Sequence, residues 1–312
     1  MGNIDTLAIA NFFGKELIGQ NITIDKASSL NNLRPYSMAF IAKNNIKEPL
    51  DKNILYLIGV DKQIDKNSLA SYIRVQNPRL AFAKAIERFF IKESSNSIDK
   101  LAYIGNNVKI AKNVSIGRYS IIGDDVEIGE NTVIRNNVTI HSNTIIGKNS
   151  LIKSGVVLGE DGFGFDFEED GTPIKLPHLG RVLIGDYVEI GANTVIAKGT
   201  LDDTIIENYV KIDALVHIAH NCRIGEKSMI IALSQISGSV IIGKKSWISP
   251  SSTIIQKRII GDNVKVGIGS VVISDILDNK TVMGLDAIEA IDVFRFKKKN
   301  SYGNNKLKDK NE

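Results

Sequence analysis

Every sixth residue from Ile104 to Leu158 is apolar: Ile104, Ile110, Ile116, Ile122, Ile128, Ile134, Ile140, Ile146, Ile152 and Leu158. The series resumes at Ile184, Ile190 and Ile196, breaks once, and then holds from Ile206 to Val266 and Val272. A small or β-branched residue often follows four places after each marker. A period of six matches neither the 3.6 of an amphipathic helix nor the two of a half-buried strand. It is the signature of a hexapeptide parallel β-helix, with three hexads to each triangular coil. The chain is therefore expected to be mainly β, a solenoid over residues 101–278 whose chemistry lies on its outer faces.

The bulk numbers fit that scaffold. Aromatic residues make up only 6% of the 312, as expected where stacked Ile and Val fill the interior. The net charge of +4 is matched by residues 291–312 alone, which carry seven basic and three acidic groups. The remainder is balanced, so no nucleic-acid-binding surface is expected. The lone cysteine, Cys222, excludes an intramolecular disulfide and a cysteine zinc cluster. No apolar run reaches the ~18 residues of a spanning helix. The first residues hold Asp5 and no basic stretch, unlike a secretory leader, so a soluble cytoplasmic protein is expected.

Residues 1–100 lack the hexad and read as a small α/β domain. Helical spacing over 5–17 ends before Gly19, and short strands are expected at 37–42 and 54–60. Asn77-Pro78 opens a helix running to Phe90, and 92–100 reads as a linker. Residues 279–312 are expected to form a short capping helix at 287–296 and a basic tail. The two hexad breaks, at 160–183 and between Ile196 and Ile206, must loop outward, where binding residues concentrate. Flat Ile and Val faces suggest closure into a homotrimer, with sites between subunits.

Four histidines are available: His141, His178, His217 and His220. Ile218 holds the inward position, so His220 points outward as a candidate general base, with Asp213 able to hold its other nitrogen. A surface histidine without a role is the alternative. His141 precedes His217 by 76 residues, about four coils, or some 20 Å at a strand spacing of ~4.8 Å. No metal site is expected from histidines so far apart. The Gly162-Phe163-Gly164 stretch permits close approach of a ligand to the backbone, although it lacks the Gly-Lys-Ser/Thr of a nucleotide loop. Cys222 lies four residues after Ile218, the small inward site, and packing is its expected role.

Read in order, GVVLGEDGFGF at 155–165, HLGRVLIGD at 178–186, VEIGANT at 188–194, LDDT at 201–204, KID at 211–213 and IAHN at 218–221 resemble one family closely. So does NPRLAFA at 77–83. The chain resembles the UDP-3-O-acylglucosamine N-acyltransferases of lipid A biosynthesis. The resemblance implies a left-handed parallel β-helix trimer behind an N-terminal uridine-binding domain. It implies transfer of a (3-hydroxy)acyl group from acyl carrier protein to the 2-amine of the UDP-linked sugar, with no bound cofactor. His220 then matches the general base and Asp213 the carboxylate that orients it. Phe40 matches an aromatic that stacks on uracil. Asn221, His217, Lys257 and the Gly162-Phe163-Gly164 stretch are the expected substrate contacts, Lys257 through phosphate.

The chain departs from the family in three places. A tyrosine expected after Phe40 is Ile46, a Gly-His pair is Gln256-Lys257, and a glycine-rich stretch is Ala232-Leu-Ser-Gln-Ile236. These departures keep two alternatives open: an acyl-CoA-dependent N-acyltransferase of another nucleotide-linked amino sugar, and a non-catalytic β-helix used for binding. Arg295, Lys297, Lys298 and Lys299 are suited by charge to the acidic carrier protein.

Overall fold

The computed structural model describes residues 3–42, 53–65, 68–91 and 96–284. The chain divides into two compact units, Met1–Ser94 and Ser95–Glu312. In the first, five strands form one sheet in the order Leu17–Ile18, Ser71–Val75, Ile54–Gly59, Ser37–Ile41, Lys26–Ala27. All neighbours are parallel except Leu17–Ile18. The helix Pro78–Phe89 begins as expected, the Asn77 side chain accepting a hydrogen bond from Leu80 N.

Two local expectations need correction. The first helix is only Thr6–Phe12, because Gly14 takes φ +59° and ends it, freeing Leu17 for a strand. The strand Ser71–Val75 was not expected, since Ser71 and Arg74 interrupt its apolar run. Both polar groups are satisfied by backbone: Ser71 Oγ donates to Gln20 O, and Arg74 Nη1 donates to Val60 O and Lys62 O.

The second unit is a parallel β-solenoid of three sheets with nine, nine and eight strands. Most strands are two residues long, and each marker pairs with the marker one coil away, as in Ile122↔Ile140 and Ile140↔Leu158. The markers form one continuous core, with the small residue at marker plus four buried beside them. Where that residue carries a hydroxyl it ties coils together: Ser246 N donates to Ser228 Oγ, and Ser246 Oγ donates to Gly261 O. The coil starts earlier than the linker expectation allowed, because Ile98 already bridges Ile116. The expected capping helix and basic tail lie outside the described residues, as does Ile46.

Where no loop intervenes, a corner turns through the residue three places after its marker, which sits at φ near +60°, for example Asn131, Tyr209, Asn221 and Lys257. Asn tolerates this left-handed region best, and Asn recurs there. Its side chains add a ladder, with Asn113 Nδ2 donating to Asn131 Oδ1 and Asn131 Nδ2 to Asn149 Oδ1 at 3.0 and 3.1 Å.

Both breaks in the repeat leave the same corner on consecutive coils, after the strands Val157–Glu160 and Val195–Ala197. The longer one projects the hairpin Phe165–Phe167 and Pro173–Lys175. The two loops are bonded to each other: Leu179 N donates to Thr200 O, Lys198 N to Glu160 O, and the Arg181 guanidinium to Asp203. Asp161 receives both Lys175 and Lys198, and these hydrogen bonds lower its pKa to about 2. No helix among the described residues is long and apolar enough to cross a membrane.

Two measurements check this architecture. Asp161→Ala should raise amide hydrogen exchange in 160–175 and 198–203 while leaving the coils unchanged, because only the clamp between the loops is lost. Cys222 is fully buried, donates Sγ–H to Ser237 O, and has its pKa pushed up to about 12 by burial. Its thiol should therefore resist a disulfide reagent at neutral pH until the protein is unfolded.

Candidate active site

One coil beyond the second loop, the same corner carries Ala219-His220-Asn221. Asn221 is the left-handed corner residue, φ +59°, and its backbone N donates to Thr204 Oγ1. Its amide is oriented by a backbone N–H, which only donates, and a backbone carbonyl, which only accepts. Oδ1 accepts from Thr200 N at 3.1 Å and from Thr200 Oγ1 at 2.9 Å, while Nδ2 donates to Asp202 O. The oxygen is thus the atom presented to His220 Nδ1, at 2.9 Å. An amide oxygen only accepts, so Nδ1 carries a hydrogen, and in the neutral ring the lone pair is on Nε2. The other side of the ring faces Gly238, where an added Cβ would come within 2.8 Å of Nε2.

His220 borders a cavity of about 920 Å³. The loop supplies Glu160, Asp161, Gly162 and Phe163 to its wall, the sheet supplies His217 and Gln235, and later coils supply Gly238, Gln256 and Lys257. His217 pairs in register with Val195 and Gln235, facing outward while Ile218 faces the core. Burial lowers the His217 pKa, which favours its neutral form. Lys257 occupies the left-handed position two coils after Asn221. Phe163 is 88% exposed at the rim, its ring 4.9 Å from Phe165. Gly164 lies against His178 rather than on the cavity wall.

Asp213 is not the partner of His220 within the chain. It sits at a different corner, and the strand His217–Ile218 separates the two. Its Oδ1 accepts from Ala214 N and its Oδ2 from Ala232 N, so its carboxylate braces the backbone of two coils. Asn221 does the orienting instead. The four-coil separation of His141 and His217 also shrinks to three, because the extruded loop consumes residues without adding a coil. At ~4.8 Å per strand they remain some 14 Å apart along the axis, and His141 Nε2 bonds Glu160 Oε2 at 3.1 Å.

Phe40 belongs to the first unit, where its half-buried ring packs on Phe82 with centroids 4.9 Å apart. Sequence reasoning assigned no role to His178. Its position inside the longer break was the available signal, and the structure buries it against the His220 ring.

A family model described as bacterial transferase hexapeptide (six repeats) matches residues 125–160. The UDP-3-O-acylglucosamine N-acyltransferase of Campylobacter lari is 43% identical over 245 residues, covering 74% of this chain and 76% of the relative. The enzyme of the same name from Coxiella burnetii is 36% identical over 235 residues, 69% of each chain. Among solved structures, LpxA from Acinetobacter baumannii shares 25% identity at a TM-score of 0.55, covering 64% of this chain and 77% of that one. With a solenoid of the same kind and identity of this degree over more than two thirds of both relatives, the chain belongs to the UDP-3-O-acylglucosamine N-acyltransferase family.

Proposed function

We propose that this chain transfers an acyl group from acyl carrier protein to the 2-amine of UDP-3-O-acylglucosamine, with His220 Nε2 as the general base. The observation that carries this reading is the amide lock: Asn221 Oδ1 takes the Nδ1 hydrogen and leaves the Nε2 lone pair beside the cavity. The sugar amine attacks the thioester carbonyl as Nε2 removes its proton, and the new C–N bond creates a tetrahedral oxyanion. Gly238, where an added Cβ would lie 2.8 Å from Nε2, has the backbone N–H we assign to that oxyanion. Collapse breaks the C–S bond, and the departing thiolate takes the proton from Nε2–H. The enzyme forms no covalent intermediate.

Lys257, on the cavity wall, is the cation suited to a substrate phosphate. The donor is tested by incubating the protein with UDP-3-O-acylglucosamine and either an acylated carrier protein or acyl-CoA, with mass spectrometry of the products. N-acylation from the carrier protein is the expected outcome, and a product only from acyl-CoA rejects this donor. His220→Ala should lower kcat by a factor of about 10²–10⁴, the loss typical of a missing general base. A near-normal kcat in that variant sinks the mechanism.

The outward positions of one sheet include Met229 and Trp247, both partly exposed. On this reading such faces close against other copies as a homotrimer. Light scattering should return three times the chain mass of 34.2 kDa, and a stable monomer would remove the assembly from the proposal.

A further inference from the structure

A second imidazole packs behind the first. His178 is 4% exposed, and its ring meets that of His220 edge to face, with centroids 5.3 Å apart and planes at 78°. Its Nδ1 lies 3.0 Å from the Leu176 carbonyl oxygen. A carbonyl only accepts, so Nδ1 carries the hydrogen and Nε2 a lone pair. That Nε2 is buried with no hydrogen-bond partner among the described residues. A Cβ built on Gly162 would lie 2.9 Å from His178 Nε2 and 2.8 Å from His220 Cδ2. His178 Nε2 and His220 Cδ2 thus border the same space, which glycine leaves bare.

A buried acceptor without a partner is unfavourable, and a phenyl ring would fill the same space without one. The imidazole is therefore poorly explained by packing alone. The other charged groups of the loop wall are already engaged: Asp161 holds Lys175 and Lys198, and Glu160 holds His141. We propose that His178 is a positioning residue for His220, holding its ring in place and setting an acceptor nitrogen beside it as Nε2 takes the amine proton. The contact strengthens only as positive charge develops on the ring, so it acts on kcat rather than on substrate binding. Gly162 is part of the device, because any side chain there would part the two rings.

This inference rests on the assignment of His220 as the base, and the experiment separates the two. Steady-state kinetics of the intact protein are compared with those of His178→Phe and His178→Gln. Phe keeps an aromatic ring but no lone pair, and kcat should fall roughly tenfold at unchanged KM, the scale of one lost electrostatic contact. Gln restores an acceptor oxygen and should recover part of that kcat. A wild-type kcat in the Phe variant, or equal losses in both variants with a raised KM, overturns the inference. Histidine ¹⁵N spectra of the wild-type protein test it without turnover or variants. Both rings must be in the Nδ1–H form, and an Nε2–H form of His178 removes the lone pair and overturns it. An inactive wild-type protein with both rings in the Nδ1–H form counts against the acyltransfer reading instead.

Discussion

The left-handed residue at each corner is the constraint on which the solenoid depends. A coil closes only if the chain turns sharply between two-residue strands, and here the turn uses φ near +60° three places after the marker. For residues other than glycine that conformation is unfavourable, by on the order of 1 kcal/mol or more. Stacking offsets it. Marker residues fill the core one above another, and corner side chains bond or stack on those of the next coil. Asn131 hydrogen-bonds Asn149, while the rings of Tyr187 and Tyr209 lie 4.8 Å apart and nearly parallel, at 3°. Because the coil imposes the turn, the residue at the corner is released from having to specify it. Leu215, Lys227, Leu233 and Lys257 all occupy it.

That freedom is what places the chemistry. Asn221 and Lys257 are corner residues of one column, and the two long loops spring from the same column at earlier coils. The second loop fits between the first loop and Asn221, bonded to both through Lys198, Thr200 and Asp202. A chain of hydrogen bonds therefore runs from the repeat breaks to Nδ1 of His220. The loops serve as the scaffold that fixes His220 as well as the wall of the cavity.

The period of six carried the coil, the inward setting of Ile218 and Cys222, and the outward setting of His217 and His220. These follow from register alone, and register is local. The expected pairing of Asp213 with His220 does not form within the chain, because register alone does not place side chains at different corners together. Their separation of seven residues brings them near in sequence, but the path between them crosses a whole face of the triangle. Counting coils by residue number failed for His141 and His217 for a related reason, since an extruded loop lengthens the chain without advancing the solenoid. Asn221 and His178 act through contacts with Thr200, Asp202 and Gly162, which come from other coils and from the loops. No periodicity encodes such contacts. In the first unit, Ser71 and Arg74 hid a central strand because their partners, Gln20, Val60 and Lys62, are distant in sequence.

The replacement of a carboxylate by an amide as the partner of His220 has a chemical consequence. Both hold Nδ1–H and leave Nε2 with its lone pair, so the tautomer is the same. A carboxylate would add a full negative charge beside the ring and favour the imidazolium in the resting enzyme. Asn221 orients the ring without that charge. On the proposed mechanism the same neutrality suits the second step, in which Nε2 gives its proton up to a departing thiolate rather than retaining it. Under the proposed mechanism, an amide rather than a carboxylate at Nδ1 suits a base that both takes and returns one proton in each turnover.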